Sequence, residues 1–430
     1  MTIPVDHPQR LLLNHELHAR LPESLAPPEQ ISHLVLSSDA EMVQQEREKL
    51  TEICLRFGHS IPVSKDNHFR IDLGPFRLQW EKHTEFTSYT FFRRGPFQEP
   101  FANTVIESVP QDWLTELPGQ VLVAAHLAIY PRPEKPRDPD EIAAALFEGN
   151  AVTGARIGEG AGIAYADFRL HKDGFSRFII KDISLTPRQA GRAVQRLLEI
   201  ESYLIQALRT YPLARKTMPM LGHAEQELAQ ITEAIASATT EEESALLDQL
   251  TKLAASTESL ASSIQYRITA AQAYYELVQR RINELRELRV EGMQTFREFC
   301  ERRMGPAMHT CETVLRLQEN LSRRIGRASE LLRTRVNISL EHQNQQVLSS
   351  MAERAKLQLH LQETVEGLSV AAITYYVVGL VGYLARAAEA AGLPINPDLA
   401  IGISIPVVAL SVALSVRKIR RMVTRNHNVD

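Results

Sequence analysis

Hydrophobic and polar positions change rhythm three times along the chain. Up to about residue 186, short strand-like runs alternate with helical ones. His33–Ser37 reads as a strand and Asp39–Arg56 as an amphipathic helix. Phe69–Arg93 reads as strands interrupted at Gly74-Pro75. The apolar run Val121–Tyr130 predicts a buried strand, followed by a proline-rich loop over Pro131–Pro139 and a short helix over Pro139–Phe147. Ile163–Leu170 and Phe175–Asp182 flank Lys172-Asp173-Gly174, which predicts a hairpin.

The second rhythm is helical. Eighteen of the 22 prolines occur by Pro219, and Leu221 to Leu393 holds only Pro306. Thr186-Pro187 supplies a cap and a helix start, after which Arg192, Arg196 and Glu199 share a face. A second helix is expected over Met220–Ser237. Thr239 followed by Glu241-Glu242-Glu243 caps a third that runs toward Arg303, where Gly305-Pro306 resets direction. From there one helix can continue through Arg386, about 80 residues or roughly 120 Å. Val314, Leu317, Leu321, Ile325, Ala328, Leu332 and Val336 recur with an eleven-residue period, which packs a helix nearly straight. Beyond them the seam turns polar through Asn337, His342, Gln343, Asn344, Gln345, Gln346, Ser349 and Ser350.

The third rhythm is apolar without interruption. Gly367–Ala385 and Leu399–Val416 carry no charge. At 18 or 19 residues each spans about 27 to 28 Å, close to the hydrocarbon thickness of a bilayer. Gly392, Pro394 and Pro397 in the connection predict an antiparallel hairpin, and Pro406 predicts a bend in the second span. The basic residues Arg417, Lys418, Arg420, Arg421 and Arg425 after the second span place both termini on the cytoplasmic side. Ser369, Thr374, Val378, Val381 and Gly382 are candidates to line a pore. Close helix packing is the simpler explanation of the hydroxyls and of Gly379 and Gly382.

Composition refines this picture. The 430 residues are 44% hydrophobic and 23% charged, as in folded globular proteins, and the net charge of −4 excludes a general nucleic-acid binder. Three widely spaced cysteines, Cys54, Cys300 and Cys311, form neither a disulfide framework nor a metal motif and fit a reducing compartment. Met1–Arg10 is polar and lacks the apolar core of a secretory signal.

Candidate chemistry is sparse. His15-Glu16-Leu17-His18 has histidines three apart, where the zinc-protease motif needs four, and fits a structural turn better than a metal site. Gly158-Glu159-Gly160-Ala161-Gly162 has the look of a phosphate loop but precedes a strand instead of a helix. No nucleophile, base and acid set can be assembled, so no enzyme activity is expected. His309, His342 and His360, near Glu312, Glu341 and Glu363, fit solvated helix faces; in a bundle they form rings able to hold a divalent cation. No cofactor is implied.

Several stretches resemble an uncharacterised, mostly proteobacterial family of membrane-anchored proteins known as a domain of unknown function, sometimes labelled egg-lysin-like. They are His7–Arg10 with Asn14–Arg20, Trp80–Phe86, Gln195–Glu201, and Glu366–Val370 through Gly379–Tyr383. The order of parts is also similar, more loosely, to the CorA-type divalent-cation channel superfamily. That resemblance implies five chains around a pore lined by the first span. The superfamily's Gly-Met-Asn is met here only by Gly382, followed by Tyr383 and Leu384, and the outer loop offers only Glu389 and Asp398 to attract cations.

The expectation is an α+β protein: a cytoplasmic mixed α/β domain (1–186), a helical region (187–306), a stalk helix (307–366), spans at 367–385 and 399–416 joined by an outer loop (386–398), and a basic tail (417–430). It would sit in a bacterial inner membrane as a homo-oligomer in contact with lipid. Two functions compete, an ion channel or transporter and a membrane-tethered scaffold or signalling adaptor; a membrane-bound enzyme, which would need a pocket in residues 1–186 with converging titratable groups, ranks behind them.

Overall fold

The structure, a computed structural model, describes residues 6–11, 13–14, 22–39, 41–60, 66–131, 139–391 and 396–426. The chain divides into two units, Met1–Ser237 with Leu246–Ser329 and Ala238–Ala245 with Glu330–Asp430.

The first unit is built on a nine-stranded sheet in the order β2-β3-β4-β1-β5-β8-β7-β6-β9. Its strands are β1 (Glu29–Ser37), β2 (His68–Asp72), β3 (Arg77–Lys82), β4 (Phe86–Arg94), β5 (Val121–Tyr130), β6 (Thr153–Ile157), β7 (Gly162–Ala166), β8 (Ser176–Asp182) and β9 (Leu288–Arg289). Neighbours are antiparallel except β5 and β8. The expected β7–β8 hairpin forms, with Gly174 at φ +81° in the turn.

Strand alternation sends side chains to two cores. Ile31, Val35, Leu127, Ile129, Phe178 and Ile180 face helix α4 (Pro187–Leu208) and parts of α6 (Thr240–Leu285) and α7 (Phe296–Ala390). On the opposite face, Leu34, Leu36, Leu78, Trp80 and Phe91 pack with α1 (Met42–Arg56) and with Trp113 of α2 (Gln111–Thr115), while Ala128 and Ile179 pack with α3 (Pro139–Leu146) and Phe147. Helices therefore cover both faces of the sheet, which is why β5 is apolar at consecutive positions. The change in rhythm near residue 187 is a change of element type within one core.

Local chemistry fixes the helix ends. Thr186 and Gln189 form a capping box with Pro187 at the first helical position of α4, and Thr239 with Glu242 caps α6. Helix α5 runs Tyr211–Ser237, starting nine residues before the expected Met220 and holding Pro219 inside it. The chain turns after Leu285, well before Gly305-Pro306. There the Glu287 carboxylate accepts from the amides of Phe296 and Arg297, both at 3.0 Å, and Thr295 with Glu298 caps α7. Pro306 sits inside α7, where the open position of Gly305 and the exposed ring leave room for it.

The eleven-residue seam is largely filled within the chain. Val314, Leu321, Ile325 and Leu332 are buried, and Leu317 and Leu321 line one cleft with Leu221 of α5.

In the second unit α7 continues to Ala390, and α8 runs Pro397–Asn426. Asn396 caps α8, accepting from the amides of Asp398 (3.1 Å) and Leu399 (3.3 Å), with Pro397 leading the first turn. The residues from Arg417 to Asn426, expected as a tail, continue the helix. Both α7 and α8 carry stretches long and apolar enough to cross a membrane, and 11% and 0% of those stretches are buried, unlike core helices of a soluble domain.

Candidate functional site

Helical geometry sorts the pore candidates onto two faces of α7. Val370, Thr374, Val378, Val381, Gly382 and Ala385 are the half-buried or buried positions of the first span. They lie toward α8: a Cβ on Gly382 would lie 3.0 Å from Ile401, and Val370, Thr374, Val378 and Gly382 line one crevice with Ile401, Ile405 and Ala409, which Tyr376, Gly379 and Tyr383 also border. Ser369 is not with them. Five residues from Thr374, it lies about 140° round the helix, away from the other candidates. The exposed face carries Ser369, Ala372, Tyr376, Gly379 and Tyr383.

The hydroxyls are engaged locally. Ser369 Oγ donates to the Val365 carbonyl at 2.8 Å and Thr374 Oγ1 to that of Val370 at 2.7 Å. Glu389 is exposed near the end of α7 and Asp398 is exposed in the first turn of α8. Arg417 and Lys418 are exposed, and Arg420 and Arg421 follow in the same helix. Gly392 and Pro394 lie outside the described residues.

A second site lies in the first unit, between α4 and the sheet. Apolar packing would be usual there, yet Gln79 and Glu81 of β3, Ser88 and Thr90 of β4 and His33 of β1 are all buried beneath Gln195, Glu199, Ser202 and Tyr203 of α4. Buried polar groups persist where they are hydrogen-bonded. His33 meets Thr90 Oγ1 at 2.8 Å and Ser202 Oγ at 3.3 Å, and burial pushes its imidazole down to about 4. Gln79 donates to Glu81 at 3.0 Å. His83 stacks on Phe86, with ring centres 4.2 Å apart.

Glu199 is raised by burial, opposed by the charge and hydrogen bond of Arg281. Next to the cleft Glu85 accepts from Arg267 at 2.6 Å and from Tyr274 at 3.1 Å, tying the β3–β4 turn to α6. Two stretches noted for family resemblance meet here: Trp80–Phe86 supplies Glu81, His83 and Phe86, and Gln195–Glu201 supplies Gln195, Leu198 and Glu199.

Sequence reading missed this cleft because alternating polar residues on β3 look like a solvent face. The signal available was the matching polar row on α4. Nearby, Glu201 is buried against Ser176, whose hydroxyl donates to it at 2.7 Å, and burial raises its carboxyl to about 8.

The remaining candidates resolve simply. His15 and His18 lie outside the described residues. In the Gly158–Gly162 loop, the amides of Gly158, Glu159, Gly160 and Ala161 donate to the carbonyls of Leu285, Arg286, Ile157 and Gly158, so they are not available to cradle a phosphate. His309, His342 and His360 are exposed and far apart along α7, and no metal-ligating cluster occurs among the described residues. All three cysteines are free and buried.

No curated protein and no solved structure matches the chain, so the egg-lysin-like label and the CorA-type likeness gain no support from such comparisons. Residues 5–423 of the 430 match the family described as "Protein of unknown function (DUF3422)", and the chain belongs to that family.

Proposed function

We propose that this protein is a homo-oligomeric inner-membrane channel or transporter for ions, CorA-like in its order of parts, with α7 at the centre of the assembly and both termini cytoplasmic. One observation carries the reading. On α7, interrupted by Gln343, Arg354 and Gln358, the apolar residues Val336, Leu340, Val347, Met351, Leu361 and Val365 fall within about 40° of one line at 100° per residue. The last five are 53–66% exposed. The same line continues into the first span through the exposed positions Ser369, Ala372, Tyr376, Gly379 and Tyr383, of which Tyr376, Gly379 and Tyr383 also border the crevice with α8.

Membrane insertion holds copies parallel and at equal depth, so each level of this stripe meets its own counterpart. From Val336 to Tyr383 the helix is about 70 Å long. A contact strip about 10–12 Å wide then covers roughly 800 Å² per chain, the usual scale of a specific interface. The axial positions in this arrangement are Ser369, Ala372, Tyr376, Gly379 and Tyr383. Thr374, Val378, Val381 and Gly382 hold the two spans of one chain together.

The test is ion flux, monovalent and divalent, into vesicles carrying the purified full chain. Gly379→Leu on the axial face is expected to lower flux at least tenfold, and Val378→Leu much less. A monomeric protein without flux refutes the channel.

The tethered scaffold is the second reading, favoured by the hydroxyls of Ser369 and Thr374 bonding back to their own helix. Its mark would be a cellular phenotype preserved when the two spans are replaced by an unrelated anchor.

A further inference from the structure

We propose that a cleft in the first unit, bounded by the β6–β7 turn, α4 and the end of α6, binds a phosphate group through Arg192, Arg196 and Arg286. The cleft has a volume of about 150 Å³, well above the ~10–15 Å³ that one water needs. Its floor is apolar, from Ile157, Leu185 and Leu285, and its rim carries the three guanidinium groups with Glu159 and Glu284.

The charges do not balance. Arg196 Nε lies 3.2 Å from Glu284, a carboxylate that also takes Arg281 at 2.9 Å, and Arg286 pairs with Glu159 at 2.7 Å. Arg192 is half-buried and makes no hydrogen bond or ion pair among the described residues. A partly desolvated guanidinium without a counterion favours an anion, and its planar fork suits phosphate oxygens. The Arg286–Glu159 pair is 67% and 71% exposed, so it is weak and exchangeable. An incoming phosphate can therefore draw Arg286 as well.

The backbone supports a built site. Glu159 (φ +61°) and Arg286 (φ +49°) are non-glycine residues held left-handed at the same cleft, and such conformations cluster at binding sites. Because the loop amides are consumed by protein carbonyls, recognition falls to the arginines. A bound phosphate would join the β6–β7 turn to α4 and α6. This proposal does not depend on ion conduction.

The experiment is equilibrium dialysis of the full chain in detergent with labelled inorganic phosphate at constant ionic strength, competed by pyrophosphate and by ATP. Saturable binding near one per chain is expected, weakened at least tenfold in Arg192→Gln and in Arg196→Gln. Glu159→Asn, which tolerates the left-handed backbone while freeing Arg286, should tighten binding several-fold. Tighter competition by ATP than by pyrophosphate or phosphate assigns the site to a nucleotide, and the reverse to a free phosphate. No saturable binding of any of the three, or binding unchanged in both arginine variants while their circular dichroism matches the wild type, overturns the proposal.

Discussion

Gly191→Ala sets two physical effects of opposite sign against each other. Gly191 lies inside α4, where replacing glycine by alanine ordinarily stabilises a helix by about 1 kcal/mol. Here a Cβ would lie 1.6 Å from the Glu23 carbonyl oxygen and 2.8 Å from its carbonyl carbon, so the backbone of the incoming segment must move away. That segment is anchored by the Leu25 amide donating to the Pro187 carbonyl at 3.0 Å, by Leu25 at 0% exposure, and by Glu23 paired with Arg70 and Arg77 at 2.8 and 2.5 Å.

Expelling Leu25 costs about 2 kcal/mol and its hydrogen bond about 1 kcal/mol. After the helix gain is set against these, the variant is expected to be less stable by roughly 2 kcal/mol. Urea unfolding of the full chain in detergent, followed by tryptophan fluorescence, measures this. Trp80 and Trp113 are both buried in the first unit and report its unfolding. Because Pro22 and Glu23 line the polar cleft under α4, the variant should also open that cleft. A variant as stable as the wild type, or more so, would refute the steric reasoning and leave helix propensity as the governing effect.

Two further outcomes are expected. Stability of the first unit should peak near pH 6.5. Below it, His33 and His126, held neutral by burial down to about 4, oppose the protonation that unfolding allows at 6.5, so stability is lost as pH falls through this window by about 1.4 kcal/mol per unit for each. Above it, Glu201 keeps its proton to about 8 when folded and loses it near 4.5 when unfolded, so stability also falls as pH rises; Glu201→Gln should flatten the limb between pH 6.5 and 8 in urea-unfolding series. Arg281→Met strands the largely buried Glu199 and should cost about 2 kcal/mol, with Glu199→Gln in the same chain recovering more than half, as read by a double-mutant cycle.

What the sequence determined by itself were the features written in nearest neighbours. The uncharged runs at Gly367–Ala385 and Leu399–Val416, the caps at Thr186 and Thr239, the β5 strand and the β7–β8 hairpin depend on local period and local hydrogen bonding, and each is present in the structure. Only the tertiary structure decided which residues meet. Glu287, ten residues from Arg297 and set apart by a turn, follows the end of α6 and accepts from the first amides of α7, a partnership that Gly305-Pro306 concealed.

The same holds for both sites. The polar alternation of Gln79 and Glu81 signalled a wet surface until α4, more than 100 residues later, was laid over it. Arg192 and Arg196 were visible as one helical face, but their approach to Arg286 and Glu159 required the end of α6 and the β6–β7 turn to converge. In the first span, residue types suggested a lining, and the packing of Gly382 on Ile401 assigned Thr374, Val378 and Val381 to the face toward α8. Period and capping act over a few residues of chain, whereas burial and charge pairing act through space, and only the folded chain brings those distant groups within reach.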